Sequence, residues 1–171
     1  MSNHAERASP GSGKDFRKHD ATLVQACRFD VAIEPTFFQH VLRNELSTLT
    51  CKAETRGHSI VSGVNEQTCV STLVTSTCCS LTTESGEPLA ALSEDMLDSG
   101  KTKPTSEQLH ALALRTGAGL PLGCDGRVVV VADSGFIGTS GAQGRGKGLI
   151  GHGDNLRFVM NAIRWLGSEL G

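Results

Sequence analysis

The sequence predicts an α/β fold, a mainly parallel, flavodoxin- or Rossmann-like sheet with flanking helices and a β-rich middle segment. The first observation is the stretch 126–136, where four consecutive valines leave no polar face, as in a central strand covered on both sides. The second is the pair Asp133-Ser134 after the valines, at the end of the strand where open α/β sheets bind ligands. The third is an apolar C-terminal helix that follows a glycine-rich loop over residues 138–148.

Length and composition indicate one soluble globular domain. The chain has 171 residues, of which 38% are hydrophobic, and we expect residues 21–171 to form the domain. Residues 1–20 are rich in Ser, Gly, Lys and His, which predicts a disordered leader. This leader lacks the apolar core of a secretory signal, and no run of about 18 apolar residues exists, so a cytoplasmic location is the default expectation.

The beginning of the domain is predicted to alternate helix and strand. Residues 21–29 place Leu23, Val24 and Cys27 on one helical face. Residues 31–33 form a short strand that Pro35 is expected to end. The apolar spacing in residues 36–46 is helical, with an extended conformation as the alternative.

The middle of the chain is predicted to be rich in strands. Thr, Val, Ser and Cys dominate residues 68–75 and 77–83, and these types favour strand over helix. Residues 58–64 are predicted to be a turn that leads into strands, and residues 84–88 a turn. Residues 89–93 are predicted to form a strand, and residues 94–104 an exposed loop.

Residues 105–115 are ambiguous. Thr105-Ser106-Glu107-Gln108 is a capping-box pattern that favours a helix, whereas the following apolar residues alternate with a period of two, which favours a strand. A turn over 117–126 then leads to the valine strand. In the last helix, Asp154 is expected to be the N-cap and Gly167 the end.

The six cysteines and the histidines give no metal or cofactor motif. No Cys-x-x-Cys pair exists, and Cys78-Cys79 would point to opposite faces of a strand. We therefore expect buried free thiols. The histidines at 58, 110 and 152 have no paired spacing and are interpreted as ordinary core or loop residues.

The C-terminal part resembles a known family. Residues 126–136 followed by Gly151-His152-Gly153-Asp154-Asn155 and the helix to Leu166 are similar to the end of class I glutamine-amidotransferase-like domains. The similar branch is non-catalytic and occurs in uncharacterised bacterial, gliding-motility and intraflagellar-transport proteins. Residues 57–64 and 21–33 resemble its upstream turn and helix–strand unit. The resemblance implies that residues 109–115 are a strand.

Two departures from the family bear on function. No segment of the sequence resembles the N-terminal βα units that carry the nucleophile in active members, so the chain is expected to correspond to a C-terminal half. The motif G-x-C-x-G is also absent, because Gly123-Cys124-Asp125-Gly126 has the wrong spacing and precedes a strand. The resemblance therefore implies a non-catalytic domain that binds a small polar ligand, carbohydrate among them, or a protein. The truncated sheet would leave an apolar edge, so we also predict a homo-oligomer.

Candidate site residues lie after the valine strand. The predicted ligand-binding set is Asp133, Ser134, Gly135, Arg145, Lys147, His152 and Asn155. Asp133 alternatively caps its own turn. One alternative function is a serine hydrolase with Ser134 as nucleophile and His152 as base. Another is an anion- or nucleotide-binding module built on the loop 138–148, with Arg145 and Lys147 beside backbone amides. The net charge of -2 predicts neither nucleic acid nor a membrane surface as a partner.

Overall fold

The computed structural model describes residues 27–42, 46–51, 57–133, 135–138 and 148–167, and its backbone is mostly antiparallel β-sheet. The predicted, mainly parallel α/β fold is therefore wrong. The strands are β1 (Ala32–His40), β2 (Ser47–Thr50), β3 (Thr72–Thr75), β4 (Thr77–Thr82), β5 (Glu87–Ala91), β6 (Met96–Leu97), β7 (Leu109–Arg115) and β8 (Arg127–Val131). The helices are α1 (Ser59–Ser62) and α2 (Asn155–Leu166).

The main sheet has the strand order β5-β7-β4-β1-β6 and curls into a half-barrel, while β2 and β3 form a separate two-stranded sheet. The valine strand β8 lies beside β7 and runs antiparallel to it, with Arg127 opposite Arg115 and Val131 opposite Ala111. Residues 116–126 return the chain directly, and such a short connection joins antiparallel strands only. Strand β8 is therefore one arm of a hairpin and not the centre of a parallel sheet.

Both faces of β8 carry valine side chains, because each face of the strand packs against a different hydrophobic cluster. Val129 and Val131 contact the larger cluster, which contains Phe136, Phe158 and Trp165. Val128 and Val130 contact a smaller cluster of Val31, Leu81, Leu109, Leu112 and Leu114. Successive side chains of a strand point to opposite faces. A continuous apolar run thus arises here in an antiparallel sheet with two cores.

The ambiguity at residues 105–115 is resolved as a turn followed by strand β7. The amide of Thr105 donates to Oε1 of Gln108 (2.9 Å), and the amide of Gln108 donates to the carbonyl of Thr105 (3.2 Å). The Gln108 side chain reaches back to the Thr105 amide as in a capping box, but the Gln108 amide bonds the backbone carbonyl of Thr105 and not its hydroxyl. The chain then extends into Leu109–Arg115. The helix alternative is wrong, and the strand is confirmed.

The predicted helix at 36–46 is also wrong, because β1 continues to His40. The extended alternative is the one observed, and Pro35 does not end the strand. Pairing between β1 and β4 shifts register between Glu34 and Phe38, which accommodates a residue that has no amide hydrogen. Of the helix expected at 21–29, residues 21–26 lie outside the described residues, and 27–29 form a turn and coil.

The other predicted elements agree more closely with the structure. The strands expected at 68–75, 77–83 and 89–93 correspond to β3, β4 and β5. The segment 58–64 contains the single helical turn α1, and the expected exposed loop at 94–104 contains β6. The last helix is confirmed, with Gly167 after its final turn. The leader 1–20 lies outside the described residues.

Candidate functional site

Helix α2 is fixed at its N-terminus by Asp154, although not as a side-chain cap. Its Oδ2 accepts hydrogen bonds from the amides of Ser71 (2.8 Å) and Thr72 (3.1 Å). Its Oδ1 accepts from Arg157 Nη1 at 2.6 Å. Asp154 occupies the N-cap position, as expected, but its side chain bonds no helix amide. The carboxylate instead joins α2 to the start of β3.

Asn155 forms a second connection to β3. Its buried side-chain amide donates from Nδ2 to the carbonyls of Val74 (2.9 Å) and Leu149 (2.8 Å), and its Oδ1 accepts from the amide of Val74 (2.9 Å). A buried amide with these partners has little hydrogen-bonding capacity left. The structure therefore uses this predicted ligand-binding residue to hold α2 in place.

Two more side chains of α2 bond to the backbone before β3. Nδ2 of the buried Asn161 donates to the carbonyls of Ile60 (2.9 Å) and Thr68 (2.8 Å). Arg157 Nη1 donates to the carbonyl of Cys69 (3.0 Å). Together with Asp154 and Asn155, these contacts fix both the position and the rotation of α2. A face of this helix is consequently presented in one orientation, which lowers the entropic cost of binding to it.

The side of α2 that faces away from the core carries exposed apolar side chains. Leu156, Met160 and Ile163, here called the outer stripe, are 56%, 44% and 57% exposed. Their spacing of four and three residues places them on one helical face. Phe158 and Trp165, on another face, are buried in the larger cluster. The apolar periodicity of the helix does not distinguish the outer stripe from the buried face, so the sequence alone does not reveal it.

An open groove of about 420 Å³ runs beside the outer stripe. We call it the helix groove. One wall is α2 itself, and the other is formed by the loop after α1 and the turn before α2. Its lining residues are Gln67, Thr68, Ile150, Gly151, Gly153, Asp154, Leu156, Arg157, Met160, Asn161 and Arg164. The groove thus combines apolar side chains with two arginines.

The two arginines of the helix groove differ in their partners. Arg157 forms an ion pair with Asp154, so its charge is compensated. Arg164 forms no ion pair or hydrogen bond with any residue that the structure describes, and its side chain is half-buried. A guanidinium that is partly desolvated and lacks a counter-ion favours a carboxylate in its vicinity.

The predicted residues after the valine strand are only partly described. Asp133 Oδ1 accepts from the amide of Gly135 (2.7 Å), and its Oδ2 accepts from the hydroxyl of Thr75 (2.7 Å). This is the turn-capping arrangement that was the alternative for Asp133. His152 lies half-buried in the turn before α2. Ser134, Arg145 and Lys147 lie outside the described residues.

A side-chain network on the other side of α2 was not anticipated. His58 Nε2 lies 3.2 Å from Glu87 Oε2, and Glu87 Oε1 accepts from Arg115 at 2.7 Å. The amide of Ile60 donates to His58 Nδ1 (3.2 Å), so both ring nitrogens are engaged and Nε2 carries the proton. The His58 ring also lies 5.1 Å from the ring of Trp165. These residues are distant in sequence, and no local pattern indicates their contact.

The charges within this network set the pKa values of its members. Burial lowers the pKa of His58 below its usual value, and this outweighs the raising effect of the Glu87 carboxylate. The hydrogen bond from Arg115 lowers the pKa of Glu87. His58 is therefore held as a neutral donor to an anionic partner. Neither of its ring nitrogens is available to accept a substrate proton.

His110 lies on β7 and is completely buried. Neither ring nitrogen has a hydrogen-bond partner among the residues that the structure describes, and the ring centroid lies 5.6 Å from that of Phe136. Burial lowers the pKa of His110 to about 4, so the ring is neutral at physiological pH. The expectation of an ordinary core histidine agrees with its position, although the missing partners are unusual.

The cysteines are free thiols in very different surroundings. Cys51 and Cys78 are buried, whereas Cys27 and Cys124 are exposed. Burial and the nearby Asp133 carboxylate raise the pKa of the Cys78 thiol well above its usual value. Cys78 is consequently a poor nucleophile. Within the described ranges, no group of three or more His, Cys, Asp or Glu side chains converges so that it could hold a metal ion.

Comparison of the chain with protein-family models, with curated proteins and with solved structures finds no match. The amidotransferase-like architecture that the C-terminal motifs implied is contradicted by the antiparallel sheet. In the described part of the chain, neither helix is both long and apolar enough to cross a bilayer.

Proposed function

We propose that this chain is a non-catalytic protein-interaction domain that binds its partner on the outer stripe of α2 and in the adjoining helix groove. The observation that carries the proposal is the exposure of Leu156, Met160 and Ile163 on one rigidly held helix. Scattered apolar side chains on a surface are ordinary, but neighbouring ones on one face are typical of binding sites.

Two properties of the site favour a protein over a small molecule such as a carbohydrate. The helix groove is open along α2, whereas small-ligand sites are usually enclosed. Among the described residues no aromatic side chain lines it, so these residues offer a sugar or base no ring to stack on. The aromatic residues of α2, Phe158 and Trp165, are buried in the core.

The fixed position of α2 supports binding in a second way. Asp154, Asn155 and Asn161 hold the helix through side-chain bonds to backbone atoms. These hydrogen bonds hold α2 in place without any contact from the outer stripe. Apolar side chains that are not needed to hold their own helix are available for a partner.

Site-specific photo-crosslinking in the native cells tests the proposal. A photoreactive amino acid replaces Met160 in one variant and Leu122, which is fully exposed in the turn before β8, in a matched control. We expect one dominant protein adduct from position 160 and none from position 122. The adduct should disappear when Leu156→Ser and Ile163→Ser are added, because these changes remove the apolar contact but leave the buried side of α2 intact.

Two results would overturn the proposal. One is an adduct pattern at position 160 that is no different from that at position 122. The other is an adduct that survives Leu156→Ser and Ile163→Ser in a protein whose circular dichroism is unchanged, because binding would then not depend on the outer stripe.

A further inference from the structure

We infer that the partner presents an acidic amphipathic helix, whose apolar residues pack on the outer stripe and whose carboxylates face Arg164. This inference rests on the proposed function and specifies the chemistry of the partner. It is carried by the charges around the helix groove and by the spacing of the outer stripe.

The charge of the site is positive and partly unpaired. Arg157 and Arg164 lie on the same ridge of α2, seven residues apart, and both line the helix groove. Asp154, the one acidic residue among the described residues of the lining, is already bonded to Arg157 and to two backbone amides. Because no described residue neutralises Arg164, the groove attracts an acidic group and repels a basic one.

The same charges argue against a second copy of α2 as the occupant. Between residues 155 and 166 the chain has two arginines and no acidic residue. If two copies of α2 paired in antiparallel orientation through the outer stripe, Arg157 and Arg164 of both copies would lie beside the same interface. Like charges across an interface are destabilising.

The N-terminal part of this chain has the wrong charge to be the occupant. Residues 1–26 contain four basic and three acidic residues, which gives no acidic character. The basic ones are Arg7, Lys14, Arg17 and Lys18, and the acidic ones are Glu6, Asp15 and Asp20. An external acidic segment therefore fits the site better than either part of this protein.

The geometry of the outer stripe favours a helical partner. Leu156 and Ile163 are seven residues apart, which is about 10 Å along a helix axis. A partner helix that presents apolar residues at positions i, i+3 or i+4, and i+7 covers this length. An acidic residue on the flank of the partner helix then lies near Arg164, at the edge of the contact.

Selection from a display library of helical 14-residue peptides tests the inference. All members carry leucine at the three stripe-facing positions, and the flanking positions vary among Glu, Lys, Gln and Ala. The folded full chain is the target, and Met160→Asp is used for counter-selection. We expect the selected peptides to be enriched in Glu, with at least fivefold weaker binding when Glu is replaced by Lys. The variant Arg164→Glu should reverse this preference.

The outcomes separate the inference from the proposed function. Peptides that need Met160 but are neutral or Lys-rich would overturn the acidic partner and leave the interaction face intact. If no selected peptide binds the wild-type chain better than Met160→Asp, both the acidic partner and the proposed function are overturned. A concentration-dependent dimer in sedimentation that Met160→Asp abolishes would assign the face to a second copy, and would also overturn the acidic partner.

Discussion

Asn155 pairs with both backbone polar groups of Val74, at 2.9 Å in each direction, and so replaces the hydrogen bonds of a neighbouring strand. A single side chain on α2 thereby completes one position of β3. The same amide also bonds Leu149. Loss of this side chain would leave three backbone groups without partners in a buried region.

Replacing Asn155 is therefore expected to destabilise the fold. Asn155→Ala should lower the free energy of unfolding by about 3 kcal/mol, because buried polar groups that lose their partners are costly. Urea unfolding followed by circular dichroism measures the change. Gln67→Ala, at an exposed position, is the matched control and should stay within about 0.5 kcal/mol of the wild type. An equal effect of the two substitutions would contradict the role assigned to Asn155.

His110 should make the stability depend on pH. Its pKa is about 4 in the folded chain and 6.5 for a free side chain, so the unfolded state binds an additional proton between these values. Stability should consequently decrease as the pH falls from about 6.5 to 4, by about 3 kcal/mol from this residue. Above pH 6.5 both states are neutral at this position, and the contribution is constant.

The variant His110→Leu isolates that contribution. It should be more stable than the wild type at pH 7, because no unpartnered nitrogen remains buried. The difference in unfolding free energy between the two proteins should grow as the pH is lowered from 6.5 to 4. A difference that is independent of pH in urea titrations would rule out the titration of His110.

The His58 network predicts two pKa changes of opposite sign. Glu87→Gln removes the negative charge that raises the pKa of His58, so this pKa should fall further below its usual value. Arg115→Ala removes a positive charge that lowers it, so the pKa should rise. Titration of the His58 ring proton by NMR gives both values. Shifts in the same direction would mean that the two side chains do not act on His58 through their charges.

The outer stripe should contribute little to folding. Leu156→Ser and Ile163→Ser should each change the free energy of unfolding by less than about 0.5 kcal/mol. Phe158→Ala, which empties a buried position on the same helix, should cost about 3–5 kcal/mol. Thermal unfolding of the three variants makes the comparison. A large loss in Leu156→Ser would show that this side chain belongs to the core.

The thiols should react in the order of their exposure. Brief treatment of the folded protein with iodoacetamide should alkylate Cys27 and Cys124, which are exposed, and spare Cys51 and Cys78. Cys78 is protected twice, by burial and by the raised pKa that keeps it protonated. Mass spectrometry of the digested protein locates the label. Modification of Cys78 before Cys124 would contradict the core assigned around it.

Short-range patterns were sufficient to predict several local elements. β3, β4 and α2 follow from residue types and periodicity, because Thr, Val and Cys favour strands and the apolar residues of α2 recur at helical spacing. The direction of β8 does not follow from its sequence, since a run of valines is compatible with any strand that is covered on both faces. Gln108 illustrates the same limit: its side chain bonds the Thr105 amide as in a capping box, but within a turn that enters a strand.

The candidate site was predictable only in part. Asp154 and Asn155 are recognisable in the sequence as polar residues at the start of a helix, but each also bonds backbone atoms more than 80 positions away. The packing of Phe158 and Trp165 in the larger cluster determines which face of α2 is buried. That depends on tertiary packing, so the exposure of Leu156 and Met160 emerges only from the structure.

The hydrogen bonds that hold α2 need particular side chains on the helix but not on the segments that the helix contacts. Asp154, Asn155 and Asn161 contribute side chains, whereas their partners at Ser71, Thr72, Val74, Ile60 and Thr68 contribute only main-chain atoms. Substitution of the side chains at these five positions therefore does not remove the hydrogen bonds. In homologous sequences we expect Asp154, Asn155 and Asn161 to be kept and Ser71 and Thr72 to vary. Ile60 and Val74 are buried, so those two positions have to stay apolar.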